Sequence, residues 1–227
     1  MRAQKPLLAG AVLGIAATLV LRRDLLVRAV READRRGALA SGRGESGYAA
    51  VSGVFAPLHA RVIAESIASL APGATLLDIG SGPGTVLAAI GAAVPGATLV
   101  GVEPSEAMRA IATNRGIDEI PGSAESLPLP DASVDLAISS LSMHHWEDPA
   151  AALRELRRVL RPGGSARIYD VRFAAYSPAE VASQAAVAGI EPGRIERTVL
   201  PERILGLRPY VRITIHTPTH EESNHAG

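Results

Sequence analysis

A chain of 227 residues is long enough for one α/β domain with a sizeable core and a short extension. Its 23 basic and 23 acidic side chains cancel to a formal charge of zero, and no basic stripe is interleaved with aromatics. That balance argues against a nucleic-acid partner, because such binding rests on neutralising phosphates. The absence of cysteine excludes disulfides and thiolate chemistry, and it fits a cytosolic protein. Basic residues are almost all arginine, with Lys5 the only lysine.

Taken in chain order, the first feature is Pro6 to Leu21, which is continuously apolar or small between Arg2 and Lys5 on one side and Arg22 and Arg23 on the other. A signal peptide is one reading, but no small-x-small cleavage site follows. A membrane anchor is the second. About sixteen helical residues span ~24 Å, against ~30 Å of hydrocarbon, a gap that arginine snorkelling and local thinning can cover. The third is a docking helix covered by protein. The anchor is the expectation taken forward, since a terminal helix that is apolar all round has little protein to cover it. Arg22, Arg23, Arg28, Arg31, Arg35 and Arg36 outweigh Arg2, Lys5 and the amino terminus, so the positive-inside rule puts the carboxyl side in the cytoplasm, on the inner face of the plasma membrane. Leu25 to Ala40 is predicted as an Arg-rich helix, and Ser41 to Gly47 as a flexible linker. The expected organisation is therefore residues 1–40 as anchor and basic helix, 41–218 as the folded domain and 219–227 as a polar tail. Tyr48 to Leu70 follows the linker, with Leu58, Val62, Ile63 and Ile67 at helical spacing.

Thr75 to Ile79 has the composition of a parallel strand buried on both faces. Gly80, Gly82 and Gly84 then let the backbone turn tightly and approach a ligand, and Val86, Leu87 and Ile90 start a helix. The dinucleotide fingerprint wants a third glycine where Thr85 stands. Asp78, two residues before the first glycine, would repel a pyrophosphate but suits an ammonium or sulfonium group. Thr98 to Val102 is a second buried strand, ending in Glu103 about twenty residues after the glycines. A carboxylate there can accept from both hydroxyls of a ribose, or it can simply complement the helix that follows.

The run Asp78-Ile79-Gly80-Ser81-Gly82-Pro83-Gly84 resembles motif I of the class I S-adenosylmethionine-dependent methyltransferases. Two later segments extend the likeness. Gly122-Ser123-Ala124-Glu125-Ser126-Leu127-Pro128-Leu129-Pro130-Asp131-Ala132-Ser133-Val134-Asp135 is similar to the family's D-A-E-x-L-P-F-x-D-x-S-F-D segment, which leads into the fourth strand. Leu153-Arg154-Glu155-Leu156-Arg157-Arg158-Val159-Leu160-Arg161-Pro162-Gly163-Gly164 is similar to the family's following helix and stop, with Asp148 as N-cap and Pro149 at the first helical position. The resemblance runs from about Thr75 to Asp170 and points to the type 11 branch.

The resemblance implies a Rossmann-like α/β fold, a seven-stranded mostly parallel sheet with helices on both faces, preceded here by the N-terminal apolar helix. It implies S-adenosyl-L-methionine as cofactor, held by Asp78, Gly80, Ser81, Gly82, Gly84, Glu103, Pro104, Ser123, Ala124, Glu125 and Ser140. Tyr48 would serve as an aromatic contact from the lid, or as a tyrosine packing the lid. Ser123 departs from the family's frequent Asp, which weakens one adenine contact or passes it through water. Beyond Asp170, Ser177-Pro178-Ala179-Glu180 is a capping box opening a helix to about Ala188. Arg194 to Leu200 and Tyr210 to Thr217 alternate as two closing strands. His216, His220 and His225 are scattered in a polar stretch without a preorganised site, so no metal is expected.

The expected reaction is methyl transfer to a small-molecule or lipid-like acceptor at the carboxyl ends of the first and fourth strands. His144 and His145 are the groups there that titrate near neutrality, so either is a candidate general base. Alternatively they pack the loop and cap the next helix. Met143, Leu141, Val54 and Phe55 suggest an apolar pocket for a lipophilic acceptor, although such residues at a strand end are more often core. Two other functions stay open: a binding module without catalysis, and a nicotinamide-dependent reductase, the latter opposed by Thr85, Asp78 and the lack of a Tyr-x-x-x-Lys pair. The oligomeric state is not encoded in any motif.

Overall fold

The computed structural model describes residues 44–172, 175–204, 206–219 and 222. The segments read as an apolar anchor at Pro6–Leu21 and a basic helix at Leu25–Ala40 lie outside the described residues, as do His220 and His225. Contacts divide the chain between Gly47 and Tyr48.

The unit from Tyr48 onward is built on a seven-stranded sheet in the order β3-β2-β1-β4-β5-β7-β6, with helices packed on it. Its strands are β1 (Thr75–Ile79), β2 (Thr98–Val102), β3 (Glu119–Ile120), β4 (Val134–Ser140), β5 (Leu160–Val171), β6 (Ile195–Val199) and β7 (Tyr210–His216). Neighbours from β3 to β5 pair parallel, while β7 runs antiparallel between β5 and β6. The strand order reverses between β1 and β4, which opens a crevice at their carboxyl ends.

Alternation along the buried strands sends side chains to opposite faces. Leu77 and Ile79 join the core built with α4 (Pro149–Val159) and α5 (Pro178–Val187) through Leu153, Leu156, Val159, Val181 and Ala185. Leu76, Leu136 and Ile138 join the opposite core with Leu58 and Val62 of α1 (Gly44–Ile67) and Val86, Leu87 and Ile90 of α2 (Thr85–Ala93). The Asp78 side chain falls on the Leu76 face.

Local chemistry explains the helix ends. Asp148 accepts from the Ala151 N–H at 2.9 Å, with Pro149 inside the first turn. Both reciprocal bonds of the Ser177–Glu180 capping box are present. Two boundaries differ from expectation. The helix α1 begins at Gly44, so it takes up Gly44–Gly47 of the stretch read as linker. The helix α4 stops at Val159, before Pro162-Gly163-Gly164, because Leu160 is already extended and pairs with Val134. A proline two positions on reinforces that exit by disfavouring helical backbone at Arg161.

Glu65 ties α1 to strands β5 and β7. Its carboxylate accepts from the Tyr169 hydroxyl at 2.6 Å and from Arg212 at 2.9 Å, and Arg167 donates to the Glu65 carbonyl at 2.9 Å.

Candidate active site

Leu76 to Ile79 are buried, and the chain then turns through three glycines whose φ angles, +67°, +59° and +69°, all lie in the left-handed region. The turn is fastened to the end of β2: Gly80 N–H donates to the Val102 carbonyl at 2.8 Å. Gly82 N–H donates to Glu103 Oε2 at 3.0 Å, and Ser105 N–H to Glu103 Oε1 at 2.9 Å. Arg109, on α3 (Glu106–Thr113), clamps the same corner by donating to the Glu103 and Pro104 carbonyls. Glu103 is thus a buried acid with each oxygen engaged once, and a carboxylate offers about four lone-pair sites, so two remain for a ligand.

The three glycines do different work. A Cβ on Gly80 would sit 2.2 Å from Ser142 Oγ, so its bareness admits the loop after β4. A Cβ on Gly82 would meet nothing within 4 Å, which leaves its surroundings open. A Cβ on Gly84 would press on Ala112 and Ile117 at 3.1 and 3.2 Å, so this residue serves helix packing.

These elements border a cleft of about 340 Å³ lined by Ile79, Gly80, Val102, Pro104, Gly122 to Glu125, Ser142 and His145 to Glu147. The segment around Glu125 is tied to the far wall, since Glu147 N–H donates to Glu125 Oε1 at 2.8 Å. Trp146 Nε1–H donates to Ser142 Oγ at 3.3 Å, bracing the wall above Gly80. Of the expected cofactor residues, Gly80, Pro104, Ser123, Ala124 and Glu125 line this cleft, and Glu103 holds its floor loop. Ser81 and Asp78 are buried behind the loop, Gly84 faces α3, and Ser140 ends β4 outside the lining. Tyr48 lies on α1, and its side chain is outside the described residues. Ser142, Trp146 and Glu147 complete the wall. Ser142 was not legible as a site residue, although its only signal, a small residue facing the first glycine, depends on the fold.

Of the residues suggested to form an apolar pocket, Met143, Leu141 and Phe55 are taken up in packing, and the Val54 side chain lies outside the described residues. Met143 is 1 % exposed in the α4 side core, Leu141 packs into the opposite core, and Phe55 packs against that second core as well. A strand end flanked by two helical layers consumes such side chains in packing.

A cluster of acids lies behind the glycine loop. Asp78, Gly101 and Glu119 are in register on β1, β2 and β3, and the glycine between leaves the two carboxylates facing each other. Asp78 Oδ1 is buried with no hydrogen-bond partner among the described residues. Burial first, then the Glu119 and Glu103 charges, push the Asp78 carboxyl up from an ordinary 3.8 to about 8. Burial also raises Glu119. The folded chain therefore keeps a proton on Asp78 that the unfolded chain loses near pH 4. Between roughly pH 4 and 8 the unfolded state binds fewer protons, and stability falls as pH rises through that window. Asp78→Asn should flatten this fall in a series of thermal melts from pH 5 to 9, the wild type losing stability along the series.

The cleft's volume is that of a small-molecule pocket. The bare glycine turn and the buried acid at the strand end suit a nucleoside-bearing ligand. A family model described as a methyltransferase domain, type 11, matches residues 77–168. Over this region the chain is similar to methyltransferase domains. The chain is 37 % identical over 97 residues to a demethylmenaquinone methyltransferase of Chlorobaculum tepidum, a match covering 42 % of this chain and 40 % of that one. It is 35 % identical over 149 residues to a malonyl-[acyl-carrier protein] O-methyltransferase of Dechloromonas aromatica, covering 56 % and 55 %. Across its curated relatives the chain spans from 24 % to 55 % of their length. Among solved structures, a SAM-dependent methyltransferase from Aquifex aeolicus superposes with TM-score 0.55 at 22 % identity, over 69 % of this chain and 88 % of that one. Phosphoethanolamine N-methyltransferase 2 of Haemonchus contortus, in complex with S-adenosyl-L-methionine, superposes with TM-score 0.65 at 14 % identity, over 82 % and 60 %. These likenesses concern the methyltransferase fold.

The fold also brings together a pair that the sequence motifs do not name. His144 lies in the 3-10 turn Met143–His145 after β4, and Asp170 near the end of β5. The imidazole Nδ1 is 2.9 Å from both Asp170 oxygens, and the His144 N–H donates to Oδ2 at 3.2 Å. Asp170 is 1 % exposed and also accepts from Val171 N–H at 2.7 Å. His145 stacks tilted beside His144, ring centroids 4.0 Å apart, and lines the cleft.

Proposed function

We propose that this chain transfers the methyl group of S-adenosylmethionine to a small-molecule or lipid-like acceptor, leaving S-adenosylhomocysteine. The observation that carries the reading is the geometry at the β1–β4 crevice, where Gly80 borders one cleft with Pro104, Ser123, Ala124 and Glu125, and the buried Glu103 fastens the glycine turn through Gly82 N–H. When bound, the cofactor supplies an activated methyl group on a sulfonium. The protein's part is to position and to exclude water. Glu103 would accept from the ribose hydroxyls, Gly80 and Gly82 would let the backbone lie against the ligand, and the Ala124 segment would border the base. Quinone-type and acyl-carrier acceptors, named for relatives, frame the search for the acceptor. The wall's polar residues, Glu125, His145 and Glu147, favour a polar reacting end. A non-catalytic binding module shares all these features and differs only in turnover.

Titration of the full chain with S-adenosylmethionine by calorimetry should give micromolar binding, with NADH giving none. Binding of NADH in its place would overturn the reading, and donor binding without S-adenosylhomocysteine formation across acceptors would favour the binding module. Membrane tethering through Pro6–Leu21, with the domain on the cytoplasmic side, is proposed from sequence alone. Recovery of the full chain in the soluble fraction after membrane separation would refute it.

A further inference from the structure

The geometry points to a lipid-contact surface at the turn between β6 and β7, where an exposed leucine flanked by three arginines docks on an anionic bilayer. The contact goes beyond the methyl-transfer reading and does not depend on it.

The turn is fastened along its length. Leu200 N–H donates to the Tyr210 carbonyl at 3.0 Å, which closes the ladder beyond Val199. Leu200 is buried, and Ile204 packs against the core on the Leu76 face. Ile204 and Leu207 exchange two backbone hydrogen bonds, of 2.9 and 3.0 Å, with Gly206 between them at φ +80°. Arg203 donates to the Gly206 carbonyl at 3.1 Å, and Arg172 N–H donates to the Pro209 carbonyl. This frame presents Leu207, 73 % exposed, with Arg172, Arg203 and Arg208, which are exposed as well. The one acid in the stretch 200–209 is Glu202, and Arg61 of α1 pairs with it.

A lone exposed apolar side chain needs no explanation. Val187, 65 % exposed at the end of α5, is of that kind: residues 177–193 hold no base and two acids, Glu180 and Glu191. Leu207 differs in its charge surroundings. An apolar side chain entering the headgroup layer and cations meeting the lipid phosphates add to each other, and guanidinium suits phosphate. The arginines come from two chain segments, which suits a fluid array of phosphates better than one fixed acidic partner.

The turn also stands at a telling place. Strand β7 begins at Tyr210 opposite Val171, the last residue of β5, so the turn lies at the carboxyl end of the parallel strands. The cleft opens at that end, and β7 is two strands from β4, roughly 10 Å across the sheet. An acceptor dissolved in the bilayer would leave it beside the cleft, a consequence that rests on the methyl-transfer reading.

The chain has no cysteine, so Leu207→Cys and Val187→Cys each give the full chain one thiol for an environment-sensitive fluorophore. Helix α5 carries the chain from the end of β5 back to the start of β6, so Val187 lies at the other end of the sheet. With vesicles of phosphatidylcholine and phosphatidylglycerol in equal parts, emission from position 207 should shift to the blue. Quenchers placed high on the lipid acyl chains should reduce it. Position 187 should show neither effect. Phosphatidylcholine alone or high salt should abolish the shift. Arg172→Glu with Arg208→Glu should abolish it too, while sparing the Arg203 bond that holds the turn. A chain that floats with the vesicles while position 207 stays silent is held only through another segment, and that result overturns the proposal. Absence of flotation overturns it, as do equal shifts at 207 and 187. A shift that survives charge reversal overturns the anionic requirement, and one that appears on concentrating the chain without vesicles assigns the patch to a protein contact instead.

Discussion

Glu103→Gln is expected to weaken S-adenosylmethionine binding by about 10- to 100-fold, read by calorimetry on the folded variant. The carboxylate accepts from Gly82 N–H at 3.0 Å and Ser105 N–H at 2.9 Å, so it shapes the glycine turn from one side and the start of α3 from the other. A glutamine keeps the volume but has one accepting oxygen, and its amide group would point N–H at N–H across one of those two bonds. A hydrogen bond to a charged group is worth about 1.5–3 kcal/mol, and each ~1.4 kcal/mol is tenfold in affinity. The proposed ribose contacts draw on the same carboxylate, so the loss should appear mainly in ligand binding. A thermal midpoint that falls together with an unchanged affinity would show that Glu103 serves only the loop.

Gly80→Ala should be the more damaging substitution. The residue has φ +67°, where an alanine costs roughly 1–2 kcal/mol, and its new Cβ would lie 2.2 Å from Ser142 Oγ and 2.7 Å from Ser142 Cβ. Neither neighbour is the far end of a flexible chain. Ser142 Cβ is one bond from the backbone and Oγ two, and Oγ receives the Trp146 indole N–H, so yielding displaces the cleft wall. Overpacking of this kind adds about 1–3 kcal/mol. The expected result is a clear drop in thermal midpoint and a loss of donor binding of at least about 100-fold. Gly82→Ala is the internal control. It carries a similar φ of +59° but meets nothing within 4 Å, so it pays backbone strain without the clash. Equal damage from the two would mean that conformation alone, and not the Ser142 contact, makes Gly80 necessary.

Much of the architecture was legible before any coordinates. Strand β1 could be read as a short apolar run with branched side chains, because a strand covered on both faces has no polar side to show. Helix α4 could be read from its N-cap, proline and stripe, and α5 from its capping box. The two-residue β3 could not, since two residues have no period, and Glu119 gives no sign in sequence that it will face Asp78 across Gly101. The glycine motif pointed to the right cleft but not to the division of labour within it. Gly80, Gly82 and Gly84 read alike as a motif, yet one admits Ser142, one stays open and one admits α3. Met143 and Leu141, read as pocket, were drawn into the two cores.

What the sequence by itself determined is the local chemistry: which runs become strands, where helices begin, and that one acid stands two residues before a glycine turn while a second ends a strand about twenty residues after it. Those signals lie within one element or one crossover, and short-range sterics and hydrogen bonding decide them. The tertiary structure alone decided which distant residues share a site. Sheet order sets β5 beside β4, and that pairing brings Asp170 to His144 across 26 residues of chain. The same packing buries Asp78 against Glu119, raising its proton affinity, and lays Ser142 on Gly80. Burial and through-space charge are properties of the assembled layers, so no spacing in the sequence records them.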